Sequence, residues 1–171
     1  AGIGLKAATV NPAAPAISGL VTINASEENY DAVRHPSADQ IVVVTRPTLG
    51  TSYTVATVTT GGTVTSSTKA RTADGVVALA CAPSGVDRVQ VVRTDTSGGT
   101  DYVLGDLLVL STLADVYTGQ SIGDITATTL NQIACAFRST TVGGFYRCYV
   151  FWSVAEADAT NDLASSGVKT N

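Results

Sequence analysis

From Ile17 onward the chain alternates short runs of Val, Ile, Thr and aromatic residues with clusters of Gly, Pro, Asp and Ser. The runs are GLVTIN from Gly19, QIVVVTR from Gln40, TSYTVATVTT from Thr51, TVTSSTKA from Thr63, GVVALACA from Gly75, VDRVQVVRT from Val86, YVLGDLLVLS from Tyr102, NQIACAFRS from Asn131 and FYRCYVFWSV from Phe145. β-branched and aromatic residues in runs of this length, bounded by turn residues, predict strands. Strands at this spacing without intervening helical periodicity predict an all-β fold, an antiparallel β-sandwich or jelly roll.

Two hairpins have a register that follows from their turns. In Thr60-Gly61-Gly62-Thr63 the glycines supply the positive φ of a tight primed turn, which sets Val58 opposite Thr65 and Thr54 opposite Lys69 in a Thr-rich, exposed ribbon. Closing the loop Ser139–Gly144 at Arg138 and Phe145 sets Cys135 opposite Cys148, Phe137 opposite Tyr146 and Ile133 opposite Val150. That face continues through Trp152 and Val154 and makes this pair the expected core hairpin. The other face of the last strand carries Tyr149 and Phe151, so it too is expected to be covered.

The ends and one internal stretch break the pattern. Residues 1–16, with Pro12 and Pro15, read as an extended N-terminal arm whose Ile3, Leu5 and Val10 are expected to lie on a partner surface. Residues 17–154 form the sandwich domain, and 155–171 read as a polar C-terminal tail or a helix of one or two turns. Between Leu110 and Leu130 the glycines Gly119 and Gly123 cut a potential helix near Thr112–Tyr117 and predict a loop.

Length and composition narrow the function. With 171 residues the chain suits one domain that buries roughly two thirds of its unfolded surface. Only 14% of residues are charged, against about a quarter in ordinary soluble domains, so Thr, Ser, Ala and Gly must cover much of the surface. A net charge of −4 disfavours direct contact with nucleic acid, which needs Lys and Arg at phosphates. The apolar stretch Val103–Leu110 is too short for a membrane-spanning helix. No basic region followed by an apolar block marks a signal peptide, and a start at Ala1 fits removal of an initiator Met as well as cleavage of a leader.

Candidate chemistry is sparse. His35, in DAVRHPSADQ, is the one histidine and reads as a solvated loop residue, not as the base of a nucleophilic site. One His and three scattered Cys without a C-x-x-C spacing do not make a metal centre, and no cofactor motif is present. Asp95 to Asp101 reads as a Gly-Gly hairpin turn more than as a calcium loop. Glu27 and Glu28 are adjacent and point apart, while Asp106 and Asp87 are the acids within strand patterns, so no paired carboxylates emerge for glycoside hydrolysis. Asn24-Ala25-Ser26 matches a glycosylation acceptor, which matters only in a secreted chain. Cys135 and Cys148, placed across one hairpin, suit either a disulfide or, in a reducing compartment, two buried thiols.

A charge-poor Thr/Ala/Gly/Val surface, an apolar arm and a final strand apolar on both faces resemble, in composition and layout, bacteriophage virion proteins of the coat or head-decoration type. The resemblance implies a non-enzymatic structural protein in the virion that assembles with copies of itself and with other virion proteins. Its expected assembly contacts are Ile3, Leu5, Val10, Tyr149 and Phe151. The alternative is an extracellular binding or fibre module, such as an adhesin, pilus subunit or carbohydrate-binding sandwich. In that reading Tyr102, Tyr117, Tyr149 or Trp152 would stack on sugars.

Overall fold

The computed structural model describes residues 5–10, 17–24, 27–47, 51–71, 79–97, 100–125, 129–142, 145–155 and 161–170. Within them the chain is strands and turns: β1 (Leu5–Val10), β2 (Ile17–Asn24), β3 (Glu27–Arg34), β4 (Gln40–Pro47), β5 (Ser52–Thr59), β6 (Val64–Ala70), β7 (Leu79–Pro83), β8 (Arg88–Ser97), β9 (Thr100–Val109), β10 (Asp115–Ile125), β11 (Thr129–Val142), β12 (Phe145–Ala155) and β13 (Asn161–Thr170). All pairings are antiparallel among the described residues, in a first sheet β3-β4-β5-β6, a middle sheet β10-β9-β8-β7, a third sheet β11-β12-β13 and the hairpin β1-β2. The fold is an all-β, sandwich-like arrangement of antiparallel sheets.

The middle sheet is covered on both faces, which explains why Val89 to Thr94 are buried at every position. Toward the first sheet, Cys81, Val89, Val91 and Leu108 pack against Val42, Val44, Tyr53 and Val55. Toward the third sheet, Ala82, Val92 and Val103 pack against Cys148 and Val150, with Ile133 and Cys135 at the margin. Alternation along a strand sends successive residues to opposite faces, so a Val-rich run in β8 feeds two cores at once. The first and middle sheets are also tied by a directed bond: the Asp31 carboxylate on β3 accepts the amide of Cys81 on β7 at 2.8 Å.

Several registers differ from those read off the sequence. Val58 pairs with Val64 and Thr54 with Thr68, one residue away from the expected alignment. The turn has three residues, not two: Thr59 N–H donates to Thr63 O, Gly62 N–H donates to Thr59 O, and the Thr59 hydroxyl accepts the amide of Thr63. Gly62 takes the left-handed position of this loop, with φ of 84°. The ribbon is not exposed throughout, because Tyr53–Val58 of β5 are buried while β6 forms the exposed edge.

In the last hairpin Cys135 pairs with Val150 and Phe137 with Cys148, two residues from the expected register. A further register shift lies between Arg138 and Val142, and next to the loop Val142, not Arg138, pairs with Phe145. Cys135 and Cys148 are therefore diagonal neighbours on one face, not directly opposed. The stretch between Leu110 and Leu130, expected as a loop, instead contains a turn, all of β10 (Asp115–Ile125) and the start of β11 at Thr129. Residues 161–170, expected as tail, form β13 against β12, and Leu5–Val10 of the arm pair with β2. Gly98 and Gly99, expected as a hairpin turn, lie outside the described residues; Ser97 and Thr100 on either side of them are paired.

Gly105 is where the middle sheet tolerates no side chain. A Cβ there would lie 2.8 Å from Gln90 Nε2 and 3.1 Å from Ile122 Cδ1. Gln90 cannot easily yield, since the same Nε2 donates to the carbonyls of Val91 and Asp106. Gly105→Ala is expected to destabilise the fold by about 1–3 kcal/mol through overpacking, read as a lowered midpoint in urea unfolding.

Candidate functional site

Asp106 sits inside the apolar run of β9, and its side chain is fully buried between the first and middle sheets. A carboxylate removed from water must recover its lost hydration from fixed partners. Arg93 on β8 donates its Nε–H to Oδ2 at 3.0 Å, and Arg71, just beyond β6, donates its Nε–H to the same oxygen at 3.0 Å. The Tyr53 hydroxyl on β5 donates to Oδ2 at 2.7 Å. The other oxygen accepts the Thr118 hydroxyl at 3.0 Å and the Gly119 amide at 2.7 Å.

Local backbone makes the last two contacts possible. Tyr117 pairs with Leu107 and Gln120 with Gly105, so Thr118 and Gly119 together oppose Asp106 in a β-bulge. Gly119 has φ of 68°, a left-handed conformation in which its amide meets the carboxylate. Arg71 also donates through Nη2 to Asp115 Oδ1 at 2.6 Å, and its guanidinium lies 5.4 Å from the centre of the Tyr53 ring. Lys69 adds a second cation, 3.6 Å from Asp115.

The electrostatics follow from this packing. Burial opposes the charge on Asp106, but Arg93 together with the Gly119, Tyr53 and Arg93 hydrogen bonds outweighs it and holds the carboxyl below its ordinary value. Burial and the neighbouring Asp106 charge push the Tyr53 phenol far up. Burial pushes Tyr117 up to about 12, and its hydroxyl donates to Gln90 Oε1 at 2.6 Å. Neither phenol ionises near neutral pH. A carboxylate offers about four lone-pair directions, and the donors named above occupy them. The centre acts as an electrostatic clamp joining two sheets, with no acceptor site left over for a substrate proton.

The sequence reading singled out Asp106 only as a potential hydrolytic acid and did not link it to Arg71, Arg93 or Tyr53. A charged residue between Gly105 and Leu107 in an apolar strand, with Arg93 ending another such run, was the available signal.

The remaining residues fall elsewhere. His35 is 5% exposed, not a solvated loop residue. Its Nδ1 accepts the amides of Ser37 and Ala38 at 3.2 and 3.1 Å, and its Nε2 lies 3.8 Å from Asp87 Oδ1, so it braces the β3–β4 turn. Asp87 precedes β8 and receives the Ser111 amide and hydroxyl at 3.0 and 2.6 Å. Cys81, Cys135 and Cys148 are free thiols. Cys81 lies in the core under the first sheet, while Cys148 belongs to the core under the third sheet, with Cys135 packed against it. The Cys148 thiol and burial push Cys135 up, and burial and Asp31 push Cys81 up, which disfavours the thiolate in both.

Among the proposed contact residues, Leu5 is half-buried in β1, and Tyr149 and Phe151 are 39% and 38% exposed on β12. Ile3 lies outside the described residues, as do the side chains of Val10, Trp152, Asp95 and Asp101. Of the candidate sugar-stacking rings, Tyr102 is half-buried and Tyr117 is tied inward to Gln90.

No protein-family model and no curated protein matches this sequence. Among solved structures, the fold is similar to part of a mutant of NanB sialidase from Streptococcus pneumoniae. The likeness has a TM-score of 0.50 and 12% identity, over 81% of this chain and 23% of that one. At that identity it reports a shared β-fold alone.

Asp106→Asn leaves two arginines facing a neutral amide in a buried site and is expected to cost about 3–5 kcal/mol, measured by denaturant unfolding. The depressed carboxyl makes its contribution fully above the ordinary value of 3.8 and loses it as the pH falls through the lower folded value. Wild-type stability therefore drops on acidification in that range. The drop should be smaller in Asp106→Asn, and equal acid sensitivity in the two proteins would contradict the clamp.

Proposed function

We propose that the protein is a non-enzymatic structural subunit of a virion, of the coat or decoration type, that assembles with copies of itself. The observation that carries this reading is the outer face of the third sheet. Tyr149 and Phe151 are exposed there, each registered beside an exposed alanine of β11, Ala136 and Ala134. The alternate residues of the same strand, Cys148 and Val150, are fully buried. The inner face of β12 thus already has its partner, and the outer face presents two rings on a bed of small residues. These four central positions carry no charge, so two copies can appose them without like-charge repulsion, and burial of the rings favours association. The Asp106 centre supports the non-enzymatic part, since its oxygens are committed to holding sheets together.

An extracellular carbohydrate-binding module is the second reading, favoured by the same rings, because exposed planar aromatics also suit sugar stacking. Light scattering separates the two. The wild-type protein is expected to be oligomeric at micromolar concentration, and the double variant Tyr149→Ser, Phe151→Ser to be monomeric and still folded. A wild-type monomer that binds glycans through these rings would replace the assembly reading with the second one.

A further inference from the structure

A cleft of about 390 Å³ opens between β1 and the outer face of the first sheet. Arg34, Ile41 and Val58 are register partners across β3, β4 and β5 and form its floor in a row. Ala7 of β1 also lines it, together with Asp39 and Thr60 at the ends of the same strands. This volume lies within the range of small-molecule pockets, about 300–1,000 Å³.

We propose that this cleft binds a small zwitterion with an aliphatic side chain, of the amino-acid class. The assignment is independent of the assembly reading and uses a different face of the molecule. Arg34 is exposed at the end of β3 and its side chain makes no hydrogen bond or ion pair among the described residues, so its guanidinium fork faces the cleft as a donor for a carboxylate. Asp39 is exposed and accepts the Thr60 hydroxyl at Oδ2 at 3.3 Å, and among the described residues its Oδ1 has no donor, which suits it to an ammonium. No ion pair joins Arg34 to Asp39, so the cleft holds a cation and an anion that do not neutralise each other. A ligand carrying both charges satisfies both.

The middle of the cleft selects the rest of the ligand. Ile41, Val58 and Ala7 are aliphatic, with Ile41 39% exposed, so they offer contact to a branched side chain and no ring for a sugar to stack on. A single arginine is too little for a polyphosphate. The turn that carries Asp39 is held by the buried His35, whose Nδ1 fixes the amides of Ser37 and Ala38, so the anion is presented on rigid backbone.

Amide NMR shifts of the full chain, titrated with L-leucine, test this. Saturable shifts at Ile41, Val58 and Thr60 in the millimolar range or tighter are expected. Affinity should fall at least about tenfold for isocaproate, which lacks the ammonium, and for isoamylamine, which lacks the carboxylate. Arg34→Ala should lose leucine binding to a similar extent, Arg34→Lys less, and Asp39→Asn should remove the preference for leucine over isocaproate. Both side chains are exposed, and the amide spectrum itself reports that each variant is folded. No saturable shift with leucine, equal affinity for leucine and isocaproate, or unchanged binding in Arg34→Ala would each overturn the proposal.

Discussion

A carboxylate buried between two sheets constrains this molecule more than any apolar contact does. Asp106 must remain charged, because neutralising it removes the anion that Arg93 and Arg71 share at Oδ2. Meeting that demand fixes β5 through Tyr53, the end of β6 through Arg71, β8 through Arg93 and β10 through the bulge at Thr118 and Gly119. Apolar packing accepts many arrangements of similar area. A carboxylate with directed donors from four other segments accepts far fewer.

The need for such a clamp follows from the layering. A middle sheet with both faces covered has no solvent side on which to leave polar residues, so every polar side chain in it needs an internal partner. On one face that role falls to Asp106 and Arg93. On the other, Gln90 bridges the carbonyls of Val91 and Asp106 through its amide nitrogen and takes the Tyr117 hydroxyl on its oxygen. Gly105 is the steric counterpart of this second arrangement, because the Gln90 amide occupies the space a side chain would need.

The outer layers carry what the middle cannot. The third sheet turns Cys148 and Val150 inward and leaves Tyr149 and Phe151 outside, which is the physical basis of the assembly reading. The first sheet turns Val42, Val44, Tyr53 and Val55 inward, and its other face meets β1 across a cleft whose lining includes Arg34 and Asp39. Two separate surfaces are thereby available, one apolar and neutral, the other small and polar-rimmed.

The runs of β-branched residues and their turn signals determined the all-β class and the existence of most strands, because period-two patterning and turn chemistry are local properties. Parity survived in one misaligned hairpin and not in the other. A shift of two residues left Cys135 and Cys148 on a common face, whereas a shift of one between β5 and β6 exchanged the faces of β6. Only the tertiary structure decided the rest. The polar sequence of β13 lacks alternation and is a strand because β12 offers it an edge. His35 is buried because Asp87 and the turn amides converge on it, and Asp106 is a clamp because Arg71 and Tyr53 arrive from another sheet. Those partners are 35 and 53 residues away in sequence, and no local pattern encodes which distant donors will meet a buried charge.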